Sequence, residues 1–315
     1  MEFLQIVAGL LLLVFGGDYL VKGASGIALK MSIPSMLVGM TVVALGTSSP
    51  ELVVSLNAAL SGKPDISVGN VVGSNIANVA LILGVTAIIF PLTVQRKALQ
   101  FDWLVMMAAS IIFYLLALDG GFSRLEGFIF VSLLAGFIVF SFVKARNSKA
   151  GVEEHQENED DSAKKWWVLV VFVVLGTGGL ILGANWFLAG AEDIARNLGV
   201  SDRVIAITLV AFGTSVPELA ASSVAAFKKE QEISIGNIVG SNLFNLLAII
   251  GITAIVSPMK VADEILSHDI FWMLGTSFII FPLALIRSRI GRLDGVLLLS
   301  AYCVFVYLLL VSPSI

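Results

Sequence analysis

The chain has 315 residues, of which 57% are hydrophobic and only 13% charged, about half the charged share of an ordinary soluble domain. That composition excludes a water-soluble globular protein, and the net charge of −4 is spread over the polar breaks between apolar runs. The single cysteine, Cys303, excludes an internal disulfide and argues against a metal centre built on Cys and His.

Nearly uncharged runs cover 3–15, 35–60, 66–94, 103–118 and 125–143, then 166–191, 204–227, 233–259, 270–286 and 293–311. A helix needs about 20 mostly apolar residues to cross a bilayer. The pattern predicts an all-α polytopic membrane protein with ten transmembrane helices. No convincing signal-peptidase site follows the first run, which therefore reads as a span. Between the fifth and sixth runs lies "KARNSKAGVEEHQENEDDSAKK", residues 144–165. It is polar and acidic, and reads as a solvated linker.

Lys and Arg accumulate in the cytoplasmic loops of membrane proteins. With the N-terminus outside, the inner loops hold Lys22, Lys30, Arg96, Lys97, Lys144, Arg146, Lys149, Lys164, Lys165, Lys228, Lys229, Arg287, Arg289 and Arg292, which is 14 of the 19 basic residues. The expectation is a multi-pass protein of the cell membrane, both termini outside and the loop 144–165 cytoplasmic.

The two halves repeat. One fixed spacing separates Glu51 from Glu218, Gly16 from Gly183, Asn75 from Asn242, Pro91 from Pro258, and Asp102 from Asp269. A one-residue slip then aligns "RLEG" (124–127) with "RLDG" (292–295). The expected organisation is a first five-helix repeat (1–143), the linker (144–165) and a second five-helix repeat (166–315). Five is odd, so the second repeat is inverted relative to the first. Inverted repeats belong to transporters, whose sites lie near the midplane on interrupted helices.

Two repeated words carry the chemistry. "ALGTSSPELVVSL" (44–56) returns as "AFGTSVPELAASS" (211–223). A charged group at the centre of a span costs at least about 2.5–3.5 kcal/mol, yet a glutamate stands there in both halves. Proline lacks an N–H and interrupts the helical ladder, so the second and seventh spans are expected to unwind at this word. Unwound backbone at membrane depth is tolerated where protein or a cavity satisfies it. The third and eighth spans contain no Lys or Arg, which makes a bound metal ion the simple source of counter-charge. The second word, "SVGNVVGSNIAN" (67–78) and "SIGNIVGSNLFN" (234–245), places Ser74 and Asn78 four apart on one helical face, with Ser241 and Asn245 as their counterparts. Asn75 and the glycines read as close helix packing with interhelical hydrogen bonds. Carboxylate, hydroxyl, amide and backbone oxygens, with no His or Cys, suit hard cations.

The paired "GTSSPE" and "GTSVPE", each followed by "GNVVGSNIAN" and "GNIVGSNLFN", resemble the two α-repeats of the sodium/calcium exchanger family, and the resemblance extends over essentially the whole chain. It implies ten helices and an antiporter exchanging about three Na⁺ for one Ca²⁺ by alternating access. Carried over by motif, it implies that Glu51 and Glu218 with Thr47 and Thr214 form a calcium site. It implies that Ala44, Ser74 and Ser48 line one sodium site, that Ala211, Ser241 and Ser215 line its mirror image, and that Asn78 and Asn245 face the middle site. Some members, including potassium-dependent ones, carry Asp at the position of Asn245; the amide here argues against potassium coupling. The ions are cargo. No cofactor, nucleic acid or obligatory protein partner is implied, only the lipid bilayer. A Ca²⁺/H⁺ antiporter of the same superfamily is the alternative. An intramembrane hydrolase is the rival from another class, and neither histidine (His155, His268) falls in a span to activate a serine. Asp18 reads as either a hydrated gate residue or a helix-end polar group.

Overall fold

A computed structural model describes residues 2–94, 96–147, 164–198 and 213–311. Helices follow the apolar runs because a bilayer offers no water to backbone N–H and C=O groups, which must then be paired internally. In chain order they are α1 (Glu2–Met31), α2 (Ser35–Thr47), α3 (Ser49–Leu60), α4 (Pro64–Ile89), α5 (Arg96–Ala117), α6 (Arg124–Asn147), α7 (Trp166–Asn197), α8 (Val216–Phe227), α9 (Gln231–Val256), α10 (Ile270–Arg287) and α11 (Arg292–Val311). Among the described residues seven helices are long and apolar enough to cross a membrane, or eight if the bent pair α2–α3 is one span. The apolar helices Val216–Phe227 and Ile265–Ile280 are shorter and stand where the seventh and ninth spans are expected. Residues 204–212 of the expected seventh span, and most of the linker, lie outside the described residues.

The first helix is longer than its apolar run. It continues to Met31 and ends where Ser32 takes φ 52° ahead of Pro34. Asp18 and Lys22 are therefore mid-helix residues, not loop or helix-end groups. Asp18 pairs with Lys22 one turn on, at 2.8 Å, and with Lys228. These pairings neutralise a carboxylate that the helix carries past the apolar run.

Two compact units can be distinguished, one formed by 1–48 and 138–240, the other by 49–137 and 241–315. Each takes segments from both sequence halves. In the first unit, α1 packs on its own repeat counterpart α7. Gly9, Gly16 and Gly23 fall at heptad spacing, and Gly176, Gly183 and Gly190 are their equivalents. A Cβ on Gly16 would lie 2.7 Å from Leu180 N and 2.9 Å from Gly176 O; on Gly9 it would meet Gly183 O at 2.8 Å. Rising positions on α1 meet falling positions on α7, so the two helices run antiparallel, as an inverted repeat requires. With lipid outside, helices associate through such close small-residue packing. Gly16→Ala should therefore overpack this crossing at a cost of about 1–3 kcal/mol, lowering the unfolding temperature in detergent. Gly178→Ala, where an added Cβ meets nothing within 4 Å, is the control. Equal stability of the two variants would contradict a backbone-to-backbone crossing.

In the second unit the same exchange recurs twice. A Cβ on Gly84 of α4 would meet Gly295 O of α11 at 3.1 Å, and one on Gly127 of α6 would meet Gly251 O of α9 at 2.6 Å. Strands β1 (Leu92–Thr93), β2 (Gly121–Phe122), β3 (Met259–Lys260) and β4 (Arg289–Ile290) pair antiparallel as β1 with β4 and β2 with β3. Each short ladder thus joins one repeat to the other. The "RLEG" and "RLDG" words supply helix starts. Glu126 Oε2 accepts from Ser123 N at 2.7 Å, while Ser123 Oγ accepts from Glu126 N at 3.3 Å, a capping box for α6. Asp294 Oδ2 accepts from Gly291 N at 2.8 Å at the start of α11.

Candidate cation site

The first repeated word breaks its helix. α2 passes through a π-helical segment, Gly39–Val43, and ends at Thr47; Ser48 leaves helical geometry at φ −85°, ψ 6°, and α3 starts at Ser49 after a 47° bend. Pro50 thus sits in the first turn of a new helix, where its missing N–H has no intrahelical partner to lose. In the second half, Thr214 and Ser215 form a turn and α8 begins at Val216 with Pro217 in its first turn. The same residue that would disrupt a continuous helix starts a shorter one. Glu51 and Glu218 are each the third residue of the new helix, where the macrodipole favours an anion. Both are 1% exposed.

In the first unit the break brings together residues of both repeats. Ser48 Oγ donates to Glu218 Oε1 at 3.0 Å. Glu218 Oε2 and Ser215 Oγ are fully buried and find no hydrogen-bond partner among the described residues. The Thr47 hydroxyl faces three acceptors, Val43 O at 3.2 Å, Ala44 O at 3.4 Å and Asn237 Oδ1 at 3.1 Å. Its single hydrogen goes to one of them, and its lone pairs stay available. Ala44 is buried and its carbonyl also accepts from Ser48 N at 2.9 Å. Thr214 is half-buried in the turn. Ala211 lies outside the described residues.

In each half one asparagine clamps the helix that starts at the first repeated word to the next helix. Asn70 Nδ2 donates to Ser55 Oγ at 3.0 Å and to Glu51 O at 3.4 Å, tying α3 to α4. Asn237 Nδ2 donates to Ser222 Oγ at 2.9 Å, tying α8 to α9. Ser55 and Ser222 were not expected from their surroundings in sequence. That they occupy equivalent places in the two repeats was the one available signal.

In the second unit α4 and α9 change from α to π geometry at equivalent places, Ala77–Leu83 and Phe244–Ile249. Such π segments inside helices are frequent at functional sites. Asn78 and Asn245 are the second residue of each segment. Asn78 Nδ2 donates to Asn242 Oδ1, and Asn245 Nδ2 to Asn75 Oδ1, both at 3.0 Å. Ser74 and Ser241 are buried on the same two helices. Ser241 Oγ and Asn245 Oδ1 have no hydrogen-bond partner among the described residues. A buried polar atom left unpaired costs about 1–3 kcal/mol. Glu218 Oε2, Ser215 Oγ, Ser241 Oγ and Asn245 Oδ1, all in this state, are hard donors of the kind that takes Na⁺ or Ca²⁺. Glu218 has no Lys or Arg partner among the described residues.

The match to a known family separates into the same two halves. Residues 1–143 and 168–311 each match the family model for "Sodium/calcium exchanger protein". The chain belongs to the sodium/calcium exchanger family. It is 33% identical to the sodium/calcium exchanger MaX1 of Methanosarcina acetivorans, covering 98% of each chain. It is 35% identical to the uncharacterized membrane protein MJ0091 of Methanocaldococcus jannaschii, covering 94% of each. Among solved structures, the sodium-calcium exchanger NCX_Mj superposes with a TM-score of 0.83 and 32% identity, covering 97% of this chain and 98% of that one. The family and the fold are those of membrane transporters, not of enzymes.

Proposed function

We propose that this chain exchanges Na⁺ for Ca²⁺ across the cell membrane as a secondary active antiporter. In this reading ten spans form two inverted repeats, 1–143 and 166–315, joined by a cytoplasmic loop at 144–165 with both termini outside. Alternating access exposes the ions to one side and then the other. The observation that carries the reading is Glu218. It is a buried carboxylate in a membrane helix, with one oxygen held by a serine of the other repeat and the second oxygen unpaired among the described residues. A carboxylate in that state calls for a cation, and the surrounding donors are all oxygen.

Glu51 and Glu218 with Thr47 and Thr214 serve as Ca²⁺ ligands. Ser48, Ser74 and Ala44, and their equivalents Ser215, Ser241 and Ala211, supply the Na⁺ ligands, the alanines through their carbonyls. Asn78 and Asn245 contribute amide oxygens to the middle of the set. Two carboxylates balance one Ca²⁺ or are slightly over-compensated by three Na⁺, so the two cargoes compete for one pool of negative charge. That competition couples their movements.

The test is Ca²⁺ uptake into proteoliposomes loaded with Na⁺, with K⁺ or with an acidic buffer. Rapid uptake driven by an outward Na⁺ gradient, independent of K⁺, is the expected result. Uptake driven by the pH gradient and indifferent to Na⁺ would replace the reading with Ca²⁺/H⁺ exchange. An obligatory need for K⁺ would contradict the role assigned to the Asn245 amide, which adds a dipole where an aspartate would add a charge.

A further inference from the structure

The amide of an asparagine can be turned over without changing its shape, and only one face of it offers oxygen to a cation. Something must decide which way Asn78 and Asn245 point. Within the second unit their nitrogens are taken up by the oxygens of Asn242 and Asn75, at 3.0 Å in both cases. That hands the question on to Asn75 and Asn242, whose own amides are equally reversible. Their nitrogens in turn face thioethers: Asn242 Nδ2 lies 3.5 Å from Met106 Sδ, and Asn75 Nδ2 lies 3.7 Å from Met273 Sδ. Asn75 Nδ2 also reaches Asn242 O at 3.5 Å.

A thioether sulfur accepts weakly and has no hydrogen to donate. Amide nitrogen against it is a weak attraction, whereas amide oxygen against it sets lone pair against lone pair. The sulfur therefore favours the observed orientation of Asn242, and of Asn75 together with the Asn242 carbonyl, and these fix Asn78 and Asn245. Met106 and Met273 stand at the same repeat spacing as the asparagines, so the relay occurs twice with the repeats exchanged. One chain runs Met106, Asn242, Asn78; the other runs Met273, Asn75, Asn245. All six residues are buried, both methionines completely. Two polarisable side chains of irregular shape at equivalent places, each on the nitrogen of an amide, exceed what filling space with leucine would need. At the far end of the second chain Asn245 Oδ1 is left without a hydrogen-bond partner among the described residues.

We propose that Met106 with Asn242, and Met273 with Asn75, are positioning residues that turn the carbonyl oxygens of Asn78 and Asn245 toward the transported cations. This rests on the Na⁺/Ca²⁺ reading of the site. None of the four need touch an ion.

The test is a set of four double-mutant cycles read in equilibrium binding of radioactive Ca²⁺ and in Na⁺ competition, on the full-length chain in detergent. Met106→Leu and Met273→Leu keep the volume and remove the acceptor. Each should weaken cation binding about tenfold, the low end of what changes in an outer coordination shell cost. The Met106→Leu loss should vanish in an Asn78→Ala background and persist in full beside Asn245→Ala. Met273→Leu should do the reverse, because coupling follows contact and distant sites add. A packing role for the methionines gives no such crossed pattern. Losses that add in all four combinations, or methionine variants that bind as the wild type does, would overturn the relay while leaving the ion site intact. A wild type that binds neither cation would overturn the reading of the site and the relay with it.

Discussion

Glu218→Gln should abolish Na⁺-driven Ca²⁺ uptake while leaving the protein folded, and Glu51→Gln should do the same. Glutamine matches the volume of glutamate, and its amide oxygen can still accept from Ser48 where Glu218 Oε1 does now at 3.0 Å. The fold therefore keeps its contact and loses only the charge. The bound cation, by contrast, loses one of two formal negative charges in a buried setting. Removing one partner of a buried charge pair costs roughly 3–5 kcal/mol, which is two to three decades or more in affinity at about 1.4 kcal/mol per decade. Flux should fall to background in both variants, with unchanged elution from a sizing column and no loss of thermal stability in cation-free buffer. Either variant retaining wild-type flux would remove that glutamate from the site.

The second large effect is on the membrane potential. If three Na⁺ move against one Ca²⁺, each cycle carries one net positive charge in the direction of Na⁺. One charge moved through 100 mV is worth about 2.3 kcal/mol, or roughly 50-fold in the equilibrium Ca²⁺ ratio at about 1.4 kcal/mol per decade. In Na⁺-loaded vesicles that charge leaves with Na⁺, so a potential clamped positive inside should raise Ca²⁺ accumulation by that factor, and one clamped negative inside should lower it. A potassium gradient with an ionophore sets the potential in either sense. An end point indifferent to the clamp would mean two Na⁺ per Ca²⁺.

Both effects depend on where the charge sits. The break at Ser48 does more than expose backbone. It turns Pro50 from an interruption into a first-turn residue, as the turn at Thr214 and Ser215 does for Pro217, and each glutamate then stands at a helix N-terminus inside an apolar span. The carboxylate gains the dipole and loses solvent at the same place. Glu218, which has no Lys or Arg partner among the described residues, is an anion held ready for a cation.

Much of this protein was legible before any coordinates. Ten apolar runs, two copies of "GTS-PE" and "GSN" and a fixed offset between the halves were enough to reach the membrane class, the repeat, the break in the second span and the family. These features are local or periodic. Whether a residue meets lipid or water, and whether a proline can continue a helix, is decided by its neighbours along the chain. Asp18 shows the limit of such reading. Its own stretch left open a hydrated gate residue or a helix end; α1 runs on to Met31, which rules out the helix end, and Lys228, far away in the other repeat, joins Lys22 in balancing the charge. Asn75 was legible as a residue of close packing and interhelical hydrogen bonds, but its partner Asn245 was not, and nothing local marked Met106, Met273, Ser55 or Ser222. The pairing of Ser48 with Glu218, of α1 with α7 and of β1 with β4 also joins one repeat to the other. A hydrogen bond depends on two groups meeting in space, and in an inverted repeat the partner of a residue often lies in the opposite half of the sequence. The sequence by itself determined which polar groups enter the membrane; only the tertiary structure decided which of them hold one another and which oxygens are left over for ions.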